Sequence, residues 1–119
     1  MNELNDFFKL ASDETRFRIM ILLAQGELCV SELCDIMSII QPNISKHLIK
    51  LKDTKFVKTV QSGKYIFYSL NLSNNDIKDF INNIVLNINS YPQLQMDSEN
   101  LAKLKSHMKK TAEKYSSLT

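Results

Sequence analysis

A proline at position 42 constrains this chain more than any other residue. Proline lacks a backbone N–H and holds φ near the helical value, so it suits the first turn of a helix and breaks an interior. Gln41 is therefore expected as the cap and Pro42 as the start of a helix. From there Ile44, Leu48 and Leu51 share one face, while Asn43, Lys46 and Lys50 fall on roughly the opposite one. His47 sits at the boundary, and Ile49 falls on the polar side without an evident reason. Ahead of the proline, Val30 to Met37 reads as a short helix with Val30, Leu33, Cys34 and Met37 on one face. Behind it, Phe56 to Gln61 and Lys64 to Leu70 are rich in β-branched and aromatic residues, with Ser62-Gly63 between them as a tight turn.

The flanks are helical. Leu4, Phe7, Phe8 and Ala11 have the spacing of an amphipathic helix over the first ten or so residues. Ser12-Asp13 offers an N-cap and Glu14 a favourable first-turn charge for a second helix. Its expected buried stripe is Phe17, Met20, Ile21 and Ala24, and Gly26 is expected to cap its end. Ser73 and Asp76 resemble a capping box opening a long helix, with Ile77, Phe80, Ile81, Ile84, Val85, Ile88 and Tyr91 as one continuous stripe. Pro92 is expected to end it, and a last amphipathic helix carries Leu101, Leu104, Met108 and Tyr115.

Two short helices joined by a turn and followed by a hairpin make a winged helix-turn-helix, mainly α with a small β-hairpin wing. Residues 1–92 are expected to form that domain and residues 93–119 a C-terminal helical extension. The charge distribution agrees. Residues 1–40 carry three basic and seven acidic side chains, for −4, whereas residues 41–64 carry six lysines against Asp53, for +5. A basic segment on a nearly neutral chain is the footprint of a nucleic-acid face. Gln41, Asn43 and Ser45 can hydrogen-bond base edges in double-stranded DNA, Lys46 and Lys50 can reach bases or phosphates, and His47 is expected to pack or to touch a phosphate. Lys58, Gln61 and Lys64 on the hairpin are placed to reach the adjacent backbone or minor groove.

Other classes lack their parts. Two glycines form no phosphate loop, and no nucleophile has a neighbouring base, so an enzyme is not expected. No apolar run is long enough to span a bilayer, and the N-terminus has no basic-then-apolar leader, so the expected location is the cytoplasm. Two cysteines five positions apart do not make a secreted disulfide framework.

The runs Leu10-Ala-Ser-Asp-Glu-Thr-Arg16, Glu27-Leu-Cys-Val-Ser-Glu-Leu-Cys34, Gln41-Pro-Asn-Ile-Ser-Lys-His-Leu48 and Gly63-Lys-Tyr-Ile-Phe-Tyr68 together resemble the ArsR/SmtB family of metalloregulatory repressors. The resemblance covers about residues 4 to 91. It implies a homodimeric repressor on an inverted-repeat operator, released by an inducer. It also implies a dimer interface built from the first and the long helix: Leu4, Phe7, Phe8, Ile77, Phe80, Ile81, Ile84, Val85 and Ile88. A stripe of large apolar residues too broad for one small domain to cover fits that implication.

The second run is similar to the arsenite site of the arsenic-responsive members, which has three cysteines; here Cys29 and Cys34 hold the outer positions and Ser31 the middle one. The resemblance implies Cys29 and Cys34 as ligands of a trivalent arsenical or antimonite, acting as inducer, with no constitutive cofactor. Two sulfurs satisfy an organic arsenical, or accept an exogenous thiol as third partner. The free amides and dipole at a helix start suit a reactive or ligating sulfur at Cys29, whereas Cys34 lies on the apolar stripe, where cysteine often serves as a small hydrophobe. A redox or persulfide switch on the same pair is the competing reading, and a repressor with no cysteine-linked inducer is another. The family's zinc site on the long helix needs histidine and carboxylate pairs, and this segment has Asp76, Asn87 and Ser90 with no histidine.

Overall fold

The computed structural model describes residues 2–116, with side chains described for residues 3–107. The order is α1 (Asn2–Ala11), α2 (Glu14–Ala24), β1 (Leu28–Cys29), α3 (Val30–Met37), α4 (Gln41–Asp53), β2 (Val57–Ser62), β3 (Tyr65–Leu70), α5 (Asn75–Leu86), a 3-10 turn (Ile88–Ser90) and α6 (Pro92–Ser116). This is a winged helix-turn-helix, as expected. One strand goes beyond the expectation. Leu28 and Cys29 pair antiparallel with Tyr68 and Phe67, so the wing is the outer part of a three-stranded sheet ordered β1-β3-β2. A two-residue strand has too little periodicity to declare itself in sequence.

Helix α2 is the centre of the core. Asp13 caps it by accepting a hydrogen bond from the Arg16 amide at 3.0 Å. Ile19, Met20, Ile21, Leu22 and Leu23 are all buried, because α1, α4, α5, α6 and β3 enclose this helix. The expected stripe is therefore too narrow: Phe17 and Ala24 lie at its partly buried edge. Gln25 takes the cap position and Gly26 follows it.

Three boundaries move. Ile40, not Gln41, is the N-cap of α4, so Pro42 takes the second helical position, where its missing N–H is equally harmless. Ser62 pairs with Tyr65, which makes Gly63-Lys64 the hairpin loop instead of Ser62-Gly63. Gly63 has φ 61°, as the first central residue of a type II′ turn requires. Asn74 caps α5 by accepting from the Ile77 amide at 3.1 Å, and Ser73 instead donates to Glu3 at 3.0 Å.

The long helix ends at Leu86, short of Tyr91. Asn87 turns its side-chain amide onto the Asn83 carbonyl at 2.8 Å, and such local bonding competes with helix continuation. Pro92 then opens α6 instead of merely closing α5. Helix α6 packs against α2 and α3. Leu94 and Leu101 are buried, Leu104 packs partly against the core, and Asn100 donates to the Ile36 carbonyl at 3.1 Å. Arg18 and buried Asp97 form a two-pronged ion pair at 2.8 and 2.9 Å. The first part of the expected extension therefore covers the core. Met108 and Tyr115 lie outside the residues with described side chains.

Candidate nucleic-acid interface and thiol cleft

Helix α3 ends on Ser38, whose left-handed backbone (φ 55°, ψ 45°) turns the chain sharply toward α4. Ile44, Leu48 and Leu51 pin α4 to the core, and this fixes which face looks outward. Gln41, Asn43, Lys46 and Lys50 are exposed and Ser45 is half-buried, as the helical spacing requires. On the wing, Lys58, Gln61 and Lys64 are exposed, and the Lys64 ammonium lies 5.5 Å from the centre of the Tyr65 ring.

His47 does not join this face. It is buried, with Nδ1 3.4 Å from the Arg16 guanidinium and Nε2 3.9 Å from an Asp13 carboxylate oxygen. A donor as permanently charged as arginine needs an unprotonated ring nitrogen to accept its bond, so this geometry suits the neutral imidazole. Burial is the main cause pushing the His47 pKa down, and Arg16, Lys46 and Lys50 push the same way against Asp13. The residue locks the cap of α2 to α4 and is withdrawn from a phosphate.

The two cysteines open onto a cleft of about 460 Å³. Cys29, Val30, Ser31, Cys34 and Asp35 form one wall, and Gln41, Lys64, Tyr65, Ile66 and Tyr68 close the other. Cys29 is the N-cap of α3, and its amide donates to Glu32 Oε1 at 3.0 Å. Its Sγ lies 3.2 Å from the Ser31 hydroxyl, so the middle position of the cysteine run stays beside the sulfur even with oxygen in place of a thiol. Neither cysteine is in a disulfide. Burial, and secondarily Asp35, raises the Cys34 pKa and keeps it a thiol at neutral pH. The sequence did not reveal the opposite wall: Tyr65 and Tyr68 reach it only through the pairing of β3 with β1.

The nine residues implied at a dimer interface divide. Phe7, Ile77 and Ile81 belong to the subunit's own core. Leu4, Ile84, Val85 and Ile88 are half-buried, while Phe8 and Phe80 are 57% and 43% exposed. The rings of Phe8 and Phe80 meet Phe7 edge-on at 5.5 and 5.9 Å, beside a shallow cleft that Phe17 also lines.

Comparison with known proteins places this arrangement. The family described as bacterial regulatory protein, arsR family, matches residues 13–59. An arsenical resistance operon repressor of Staphylococcus xylosus is 35% identical over 91 residues, which are 76% of this chain and 85% of that protein. The chain belongs to the ArsR family. Its relatives are regulators and not enzymes. An arsenical resistance operon repressor of Escherichia coli is 42% identical over 64 residues, and the chain spans about half of that relative's length, 55%. Among solved structures, HlyU from Vibrio cholerae superimposes with a TM-score of 0.62 at 28% identity, over 70% of this chain and 88% of HlyU. The repressor BigR from Xylella fastidiosa gives 0.61 at 30%, over 70% of this chain and 83% of BigR. Among the described residues no helix is long and apolar enough to cross a membrane.

Proposed function

We propose that the chain is a transcriptional repressor that binds an inverted-repeat operator in double-stranded DNA as a homodimer. Its inducer is a trivalent arsenical held by Cys29 and Cys34. One observation carries the reading: the cleft that holds both cysteines is walled by Gln41 of α4 and Lys64 of the wing, two elements suited to touch DNA. Helix α4 presents Gln41, Asn43, Ser45 and Lys46 to the major groove, about 12 Å wide, while Lys50, Lys58 and Lys64 neutralise phosphates. The exposed Phe8 and Phe80, with the flanking half-buried Leu4, Ile84, Val85 and Ile88, supply the surface for the second subunit.

Two thiols and a neighbouring hydroxyl favour an arsenical with one organic substituent over arsenite or antimonite, which take three sulfurs. Each thiol replaces one hydroxyl on arsenic and releases one water. Drawing Cys29 toward Cys34 pulls on its pairing with Phe67 of β3, and hence on the wing. Release requires the inducer to favour the DNA-free form about 100-fold, roughly 2.7 kcal/mol.

The test is titration of arsenite, then monomethylated trivalent arsenical, then peroxide, against the reduced protein bound to its own promoter DNA. Release by the methylated arsenical, abolished by Cys29→Ser and by Cys34→Ser, is the expected result. Release by peroxide alone would replace the arsenical with a thiol oxidant, and release by none would return both cysteines to the core. Sedimentation of wild type and Phe80→Ser reads the dimer: loss of self-association in the variant is expected, and a monomeric wild type would remove the inverted-repeat operator.

A further inference from the structure

Ile49 is 60% exposed on an otherwise polar and basic helix face. The core has no use for it, since Ile44, His47, Leu48 and Leu51 complete the buried side of α4. Helix propensity does not explain it either, because a β-branched residue is a poorer helix former than lysine or glutamine. Its angular position is the informative fact. Pro42, Ser45, Lys46 and Ile49 follow the i, i+3, i+4, i+7 spacing, and at 100° per residue this stripe points almost directly away from the buried one. Recognition helices read base edges from a stripe with this spacing. Lys46 and Lys50, two cations suited to phosphates, lie within a turn of Ile49 and on one side of it, about 60° and 100° around the helix.

On the DNA-binding reading above, which this inference rests on, an apolar side chain on the groove-facing stripe has one chemical counterpart. The C5-methyl of thymine is the apolar group that base pairs display in the major groove. We propose that Ile49 is a specificity-determining residue that packs against a thymine methyl in each half-site and selects A·T at that position. The polar residues of the stripe supply hydrogen bonds, and Ile49 supplies the contact that separates thymine from cytosine without one.

The test removes only the methyl. A duplex enriched from a random-sequence pool by the full-length protein is resynthesised with each thymine replaced in turn by deoxyuridine. Affinities are measured for wild type, Ile49→Val and Ile49→Ala. At one thymine per half-site, wild type should bind the uridine duplex about fourfold more weakly, the worth of roughly one buried methyl group. Ile49→Ala should bind both duplexes equally, and Ile49→Val should keep part of the discrimination, all with unchanged circular dichroism. Equal methyl dependence in wild type and Ile49→Ala at every thymine would overturn the assignment, as would an unchanged affinity of Ile49→Ala for the thymine duplex. Failure of any sequence to enrich from the pool would overturn the DNA-binding reading itself, and is distinguishable from both.

Discussion

Helices α2 and α4 are similar in length, 11 and 13 residues, and opposite in their relation to solvent. Helix α2 is surrounded by other elements and buries five successive side chains, Ile19 to Leu23. Helix α4 buries Ile44, His47, Leu48 and Leu51 and leaves Gln41, Asn43, Lys46, Ile49 and Lys50 outside. Substitutions around α2 should therefore change stability and leave any surviving folded protein able to bind. Substitutions on the outer face of α4 should change binding and leave stability alone.

The largest effect expected is at the seal between α2 and α6. Asp97→Ala strands the Arg18 guanidinium, whose side chain is 12% exposed against 3% for Asp97. Breaking such a pair by removing one partner should cost about 3 kcal/mol, the low end for buried pairs because Arg18 keeps some water. Urea unfolding reads it, and a loss below about 1 kcal/mol would mean that the Arg18–Asp97 pair does not hold α6 to α2.

Next come Lys46→Ala and Lys50→Ala. Each should weaken operator binding about tenfold and flatten the dependence on salt, with an unchanged melting temperature. Unaltered binding in both would remove α4 from the DNA interface and break the comparison on its outer side. A smaller change is expected from Asp13→Ala, which removes the cap of α2 and the carboxylate beside His47; about 1 kcal/mol of stability should be lost.

The smallest effect is a pH dependence that belongs to the inner face of α4. The pKa of His47 is lowered in the folded chain, so as pH falls the unfolded chain takes up the proton first. The stability that neutral His47 contributes is complete above about pH 6.5 and is lost as pH falls through that value toward the lower folded pKa. Asp13, lowered mainly by its bond from the Arg16 amide, loses its contribution only below its ordinary value of 3.8. The melting temperature should therefore decline between pH 7 and pH 5, and His47→Leu should flatten that decline. A slope unchanged in the variant would assign it to another group.

Several elements are legible in short stretches of sequence. Asp13 before Glu14, Pro42 near a helix start and Gly63 between two β-rich runs declare α2, α4 and the wing, because capping, proline and positive-φ glycine act within one turn of chain. The alternation of Ile44, Leu48 and Leu51 with Lys46 and Lys50 declares the outward face for the same reason. The continuous stripe from Ile77 to Tyr91 misleads, because periodicity does not register that Asn87 can bond its own helix and stop it. In the candidate site, Cys29, Cys34, Gln41 and Lys64 can each be named from sequence, but not that they share one cleft.

What the sequence determined alone is the set of helices, the turn between α3 and α4, and the segregation of charge onto one segment. These follow from residues within four positions of one another, where a hydrogen bond or an apolar contact has a known partner. Tertiary structure alone decided that His47 turns inward to Arg16, 31 residues away, and that Arg18 meets Asp97, 79 residues away. It also decided that β1 brings the cysteines against the wing. Those pairings depend on which distant groups can be desolvated together. That choice is made by the packing of the whole core around α2, and no local pattern records it.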